Sequence, residues 1–368
     1  MYQFLERIEE IITHIKDATR RTELIASEIR RHLMDPSVIL DELGEMGVVG
    51  GISRIGYPKR FEKKVSGVDG GIVSRSFYNV DLVMTRAVAT VFRYADSGKL
   101  VETSYYPSAL APPKLDIFFD PIATPDFEVL KSLTRVHEEV ALAREVAENN
   151  PDLDLLILDG SIVPQYSDKP SKRSTLNKLY EKVIKEHRGL FKACENHGIA
   201  LAGVVEDSRG ARLLTLIKKV FSGELDVPSG LRDVTLLNHV LKYGEMSFVF
   251  PFASAPGDYP PLADLGEAWA PKIYSFYAKL AEYDLPTRVD FLSKSKTLDD
   301  RDVNDLASSL LFLSSHHRDY GIPSVLVEAN SRAELSEQEM ERICLTIMDR
   351  LGDPNMLKQL RRNRRPLW

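Results

Sequence analysis

Residues 155–161 read Leu-Leu-Ile-Leu-Asp-Gly-Ser, an apolar run closed by an aspartate and a glycine. Such a run suits a strand buried on both faces, as strands of a parallel sheet are. Upstream, residues 67–71 read Gly-Val-Asp-Gly-Gly inside a second strand-like run, Val65–Val73. Aspartate is disfavoured within strands and following glycines weaken them further, so both together suggest a backbone or a phosphate in close approach. Between the two runs a helix is expected from Thr124-Pro125 to about Asn149, with Leu133, Val136, Val140, Ala143 and Ala147 as its apolar stripe. A helical crossover makes the strands parallel neighbours and sets Asp69 beside Asp159. A lone Asp-Gly is commonly a turn; two at strand positions that one sheet brings together point to a shared site. Adjacent carboxylates repel, and a divalent cation relieves them; an oxygen donor set suits Mg²⁺ or Mn²⁺.

Around this pair the pattern reads as an α/β protein with an RNase H-like mixed sheet, antiparallel hairpin strands plus parallel strands, flanked by helices. Asp81–Tyr94 and Leu100–Tyr106 form a hairpin across Asp96-Ser97-Gly98-Lys99, with Gly98 free to take positive φ. The segment Ala109–Pro125, with four prolines, reads as a loop. After Ser161 come a basic helix (about Thr175–His197), an apolar strand (Ile199–Val205) and a helix from about Ala211. Further on, Met246–Phe252, Arg288–Phe291 and Ser324–Glu328 read as strands, Val303–His316 as a helix, and Ile273–Leu280 as either. Ser336 with Glu339 starts a last helix as a capping box. The expected domains are an N-terminal helical region (1–50), with Phe4, Ile8, Ile11, Ile12 and Ile15 on one face for self-packing or dimerisation, an RNase H-like domain (51–350) and a basic tail (351–368).

A third carboxylate is expected from the central helix. At about 100° per residue, Glu139 lies roughly 60° from Val136 and 40° from Ala143, beside the apolar stripe. Glu138 and Glu145 point away, so Glu139 is preferred and Glu138 is the weaker candidate. Glu206 and Asp207 stand at a strand's carboxyl end, where α/β sites are commonly built; they either complete the site or cap the next helix.

The 368-residue chain is 43% hydrophobic and long enough for one large core or two modest ones. Two cysteines exclude a metal–thiolate cluster or a disulfide framework. No apolar run is long enough for a membrane span, and the amphipathic N-terminus is unlike a signal peptide; a soluble, cytoplasmic protein without a membrane partner is expected. The net charge of −6 conceals basic clusters at Arg54–Lys64, Lys169–Lys178 and Lys358–Arg365. Each is either ordinary solvated surface or a phosphate-binding stripe. Arg60, Lys63, Lys64, Lys172, Arg173 and Arg209 are the candidate DNA contacts. Tyr105, Tyr106 and Tyr277 are candidates either for base stacking or for the core.

With GVDGG around Asp69, LILDGS around Asp159, the Glu-bearing helix between them, GIALAGVVEDSR, PTRVDFL and IPSVLVEANSRAELSEQE, the chain resembles the NurA nucleases over roughly residues 60–350. Their order and spacing carry the likeness more than any one motif. The resemblance implies a manganese-dependent 5′–3′ exonuclease and single-strand endonuclease acting on single- and double-stranded DNA. It further implies a homodimer that works with a hexameric HerA-type ATPase in DNA end resection and double-strand-break repair. Two departures stand out: many members carry a lysine near Glu206 and a histidine near Asn330, and here the first is acidic and the second an amide. Asn330 can still offer a carbonyl to a metal or touch substrate, but not transfer a proton as histidine would, which leaves open altered metal chemistry or reduced activity.

The expected chemistry is phosphodiester hydrolysis with two ions (Mn²⁺ or Mg²⁺), Asp69 bridging them and Glu139 and Asp159 completing one sphere each. Two competitors share the residues. GVDGG also resembles a phosphate loop of actin- and sugar-kinase-like ATPases, although Ile72 stands where a threonine or serine is usual. Glu206 and Asn330 also fit a non-catalytic DNA-binding subunit.

Overall fold

The computed structural model describes residues 2–119, 122, 124–221, 227–228, 230–295 and 297–352. Two helices open the chain, α1 (Tyr2–Leu33) and α2 (Pro36–Leu43), followed by a two-residue strand β1 (Ser53–Arg54). Four strands come next: β2 (Lys64–Ser76), β3 (Asp81–Tyr94), β4 (Leu100–Tyr106) and β5 (Lys114–Phe118). Then helices and strands alternate as α3 (Thr124–Asn149), β6 (Leu155–Asp159), α4 (Asn177–His197) and β7 (Ala200–Val205). The remainder holds α5 (Arg212–Val220), α6 (Asp233–Val240), β8 (Glu245–Met246), β9 (Phe250–Pro251) and α7 (Pro260–Leu265). A hairpin of β10 (Ile273–Ala278) and β11 (Thr287–Leu292) precedes α8 (Asp300–Ser314), α9 (Ser324–Ala333) and α10 (Glu337–Leu351).

The described residues pack as two compact units, one within 60–203, 259–270 and 324–352, the other within 2–59, 204–258 and 271–323. In the first, β2 pairs antiparallel with β3 along its whole length, β3 with both β4 and β5, and β2 runs parallel to β6. This is the mixed sheet of an RNase H-like fold, with α3 as the crossover between β2's hairpin partners and β6. The β3–β4 turn carries Gly98 at φ +76°, a backbone region that side chains resist. β6 is buried along Leu155–Leu158, as its all-apolar sequence demands.

The glycines of β2 are explained by what covers them. A side-chain carbon at Gly67 would lie 2.7 Å from the Val325 backbone of α9, and one at Gly71 would collide with the Ala333 carbonyl at that helix's end. At Gly70 it would lie 2.5 Å from Glu139 Oε1 of α3. Alternate strand residues face opposite sides, so α9 and α3 lie on opposite faces of β2.

Three local expectations are corrected. Ser324–Glu328 is not a strand but the start of α9: its β-branched content suggests a strand, yet Val325, Leu326, Ala329 and Ala333 recur at helical spacing and are all buried. The Ala109–Pro125 segment is not all loop, because Lys114–Phe118 pairs with β3. Met246–Phe252 is not one strand; only β8 and β9 pair, each briefly, with β10. The segment left open, Ile273–Leu280, forms β10.

In the second unit the second half of α1 buries Ala26, Ile29 and Leu33 against α2, α5 and α6. The first half leaves Phe4, Ile11, Ile12 and Ile15 exposed. No helix of the described residues is long and apolar enough to cross a membrane. The basic tail from residue 353 onward lies outside the described residues.

Candidate active site

The parallel register of β2 with β6 runs from Val65 opposite Leu155 to Val68 opposite Leu158. The next residue in each strand is an aspartate, Asp69 and Asp159, and the two carboxyl groups share a hydrogen bond. Asp69 is only 4% exposed and leans along its strand, Oδ1 accepting the Gly70 amide at 2.6 Å. β6 ends at Asp159, and Gly160 turns the chain at φ +88°, a conformation glycine adopts without steric cost. The second Asp-Gly is therefore both a strand end and a turn.

Glu139 reaches this place from α3. Leu133, Val140, Ala143 and Ala147 of that helix are buried, each large one contributing about 1.5–3 kcal/mol, and this fixes the helix's rotation. Glu139 lies over Gly70, 6% exposed. Its Oε1 is 3.0 Å from Arg135 Nη1, one helical turn earlier, but is not aligned for a hydrogen bond. Glu138 goes elsewhere: it accepts from Lys114 Nζ of β5 at 2.6 Å. His137 and Lys114 together hold it down at about 2.

Two site residues escaped the sequence reading. Arg135 is the i,i+4 partner of Glu139, a spacing that could have exposed it. Asp168, 3% exposed, closes the site from a short turn after β6. It accepts from Ser132 Oγ of α3 at 2.7 Å and from the Gln165 amide at 3.2 Å. Nothing in its local sequence marks it. Arg135, Glu139, Asp159, Asp168, Ser132 and His187 line one cavity of ≈ 50 Å³.

Electrostatics follow from crowding. Burial pushes Glu139 up to about 8, with Asp69, Asp159 and Asp168 adding to the rise and Arg135 opposing it. Burial also raises Asp69, against the Gly70 amide, the Asp159 hydrogen bond and the charge of Arg135. Asp168 is raised by burial as well. Among the described residues no three carboxylate, imidazole or thiol groups converge closely enough to hold one ion. Glu139 lies against Arg135, while the two aspartates bond each other. The donors nonetheless suit a hard divalent cation, since they are all oxygen, are buried (Asp69, Glu139) or half-buried (Asp159), and include a Glu139 oxygen with no hydrogen bond.

The family model for the NurA domain matches residues 63–335, and so spans every residue of this cluster. The chain belongs to the NurA family. No match occurs among curated proteins. The NurA nuclease from Sulfolobus solfataricus is a similar solved structure, 18% identical over 96% of this chain and 98% of that one, with a TM-score of 0.57. A NurA structure with manganese is 11% identical over 95% and 98% of the two chains, with a TM-score of 0.52. At such identities the likeness is one of fold.

Within this NurA domain the remaining candidates scatter. Asn330 is exposed on α9. Lys64 is tied to Asp152 at 2.6 Å and to Asn150 at 2.8 Å. It stands five residues before Asp69, roughly 17 Å away at about 3.3 Å per residue. Lys63 lies over the Phe61 ring, Arg60 is 3.6 Å from Asp96, and Lys172 and Arg173 are exposed. Glu206, Asp207 and Arg209 are exposed in the other unit. There Tyr320 donates to Glu206 at 3.2 Å. The cap of α5 comes instead from Asp233, which accepts the Leu213 and Leu214 amides at 3.0 and 2.8 Å. Of its two readings Tyr277 takes the core one: it is fully buried and donates to Asp233, so it cannot stack on a base. The phosphate-loop alternative also loses its basis, because Gly70 and Gly71 are filled by Glu139 and α9.

Proposed function

We propose that this NurA protein is a metal-dependent deoxyribonuclease with Asp69, Glu139 and Asp159 as catalytic residues that also ligate metal. The observation that supports it most is the β2–β6 register, which sets Asp69 beside Asp159, with the α3 residue Glu139 over the neighbouring Gly70. Those three would hold a pair of divalent ions, Mn²⁺ or Mg²⁺, and the manganese in a NurA structure of the same fold favours the former. Bound there, the ions supply Lewis acidity that activates a water and neutralises charge on a phosphodiester.

The protein's own groups set the conditions. Burial leaves the acids poorly solvated, so they gain more from a cation than exposed acids would. Asp168 adds negative charge behind them. Exposed Lys172 and Arg173 are candidate contacts to the DNA backbone together with Arg60, Lys63, Lys64 and Arg209, so binding weakens steeply with salt. Asn330, Glu206 and Asp207 remain candidates for substrate or metal contact. The exposed apolar stripe of α1 suits a homodimer. A HerA-type ATPase partner in end resection, and a 5′–3′ exonuclease with single-strand endonuclease activity, belong to this reading.

End-labelled single- and double-stranded DNA incubated with Mn²⁺ tests it. Wild type is expected to cut both, and Asp69→Ala to lose roughly two orders of magnitude or more. Equal cutting by the two proteins moves the centre elsewhere. Binding without cleavage in any divalent ion favours the non-catalytic subunit.

A further inference from the structure

We propose that Arg135 is the resident counter-cation of the acidic pocket, and that its guanidinium and a divalent ion exclude each other there. The inference rests on the metal-binding reading above and adds a residue which that reading does not use.

Glu139 on its own helix, Asp159 at the end of β6 and Asp168 in the following turn line the cavity with Arg135, and their charges, with that of Asp69 on β2, act on its guanidinium. The nearest approach is 3.0 Å, to Glu139 Oε1. His187 supplies no second charge, for burial pushes it down to about 4, and its Nδ1 meets the Val183 carbonyl at 2.8 Å. Among the described residues lining the cavity, Arg135 is thus the one permanent cation.

Charge decides between sharing and exclusion. Arg135 Nη1 stands 3.0 Å from the Glu139 oxygen that an ion would need, and +1 beside +2 in a poorly solvated pocket is repulsive. The Arg135 side chain is 30% exposed, so it has a way out to solvent. Its departure frees the Glu139 oxygen that pairs with it, and the acids can then turn toward an ion. The same pairing explains why the carboxylates do not converge in the arginine-in state.

Two measurements test this. Calorimetric titration of Mn²⁺ into Arg135→Gln should give binding about tenfold tighter than wild type, and the variant should melt lower than wild type in EDTA. Arg135→Lys, which keeps the charge, should stay near wild type in both. In the wild-type protein, where folding is not in question, Mn²⁺ should speed phenylglyoxal labelling of Arg135 severalfold, read by peptide mass spectrometry. Labelling slowed or unchanged by Mn²⁺, or binding by Arg135→Gln that is equal or weaker, overturns the inference. Asp69→Asn separates the two layers. If it abolishes Mn²⁺ binding while either of those results holds, the metal site stands and only the role of Arg135 falls. If it leaves Mn²⁺ binding intact, the metal site and the exclusion fall together.

Discussion

Glu139 Oε1 lies 3.0 Å from Arg135 Nη1 without the alignment of a hydrogen bond, while the ideal side-chain carbon of Gly70 would fall 2.5 Å from that same oxygen. A carboxylate is thus pressed onto a strand at a residue lacking a side chain and faced by a cation that is not aligned to hydrogen-bond it. Buried charge of this kind costs stability unless it is compensated. On the proposed function the cost has a reason: a site prepared for an ion would be strained without one.

The pH dependence follows from that strain. Glu139 sits at about 8 in the fold, against about 4.3 in an unfolded chain. Between these values the folded state holds a proton that the unfolded state releases. Stability of the metal-free protein therefore falls as pH rises through this window and levels off above about 8. Glu139→Gln should flatten the slope. Urea melts in EDTA from pH 5 to 9 check it, and a wild-type stability that climbs across the range would contradict the assignment.

Glu138 provides the matched contrast. It pairs with Lys114 at a partly exposed site, so Glu138→Gln should cost under about 1 kcal/mol and leave Mn²⁺-dependent cleavage near wild type. Glu139→Gln should abolish cleavage. The same nuclease assay on both variants distinguishes them, and equal losses would mean that α3 presents a different face.

Gly71 tests the packing beneath the site. An added methyl group runs into the Ala333 carbonyl at the end of α9, so Gly71→Ala should destabilise by about 1–3 kcal/mol. Chemical denaturation measures it. A neutral result would show that α9 can slide away from β2.

The core of the fold was readable because its signals are local or periodic. The apolar run before Asp159, the helical stripe of α3 and the turn at Gly98 each announce one element, and a helical crossover between strands leaves little choice of topology. The identity of α9 was hidden in Ile322–Val327, whose β-branched residues mimic a strand; its helical partners, Gly67 and Gly71, lie far away along the chain. Glu139 could be singled out by rotation about the helix axis. Arg135 and Asp168 enter through tertiary burial, which periodicity does not encode. Tyr277 shows the same limit, since an aromatic on a strand carries no mark of whether its face meets solvent or core.

The central claim is that Asp69, Asp159 and Glu139 hold divalent metal. Anomalous scattering from Mn²⁺-loaded crystals, collected at the manganese edge, tests it most directly. Manganese density is expected between the carboxylates of Asp69 and Asp159, with Glu139 turned toward it. Manganese bound only elsewhere, with Glu139 still paired to Arg135, would contradict it.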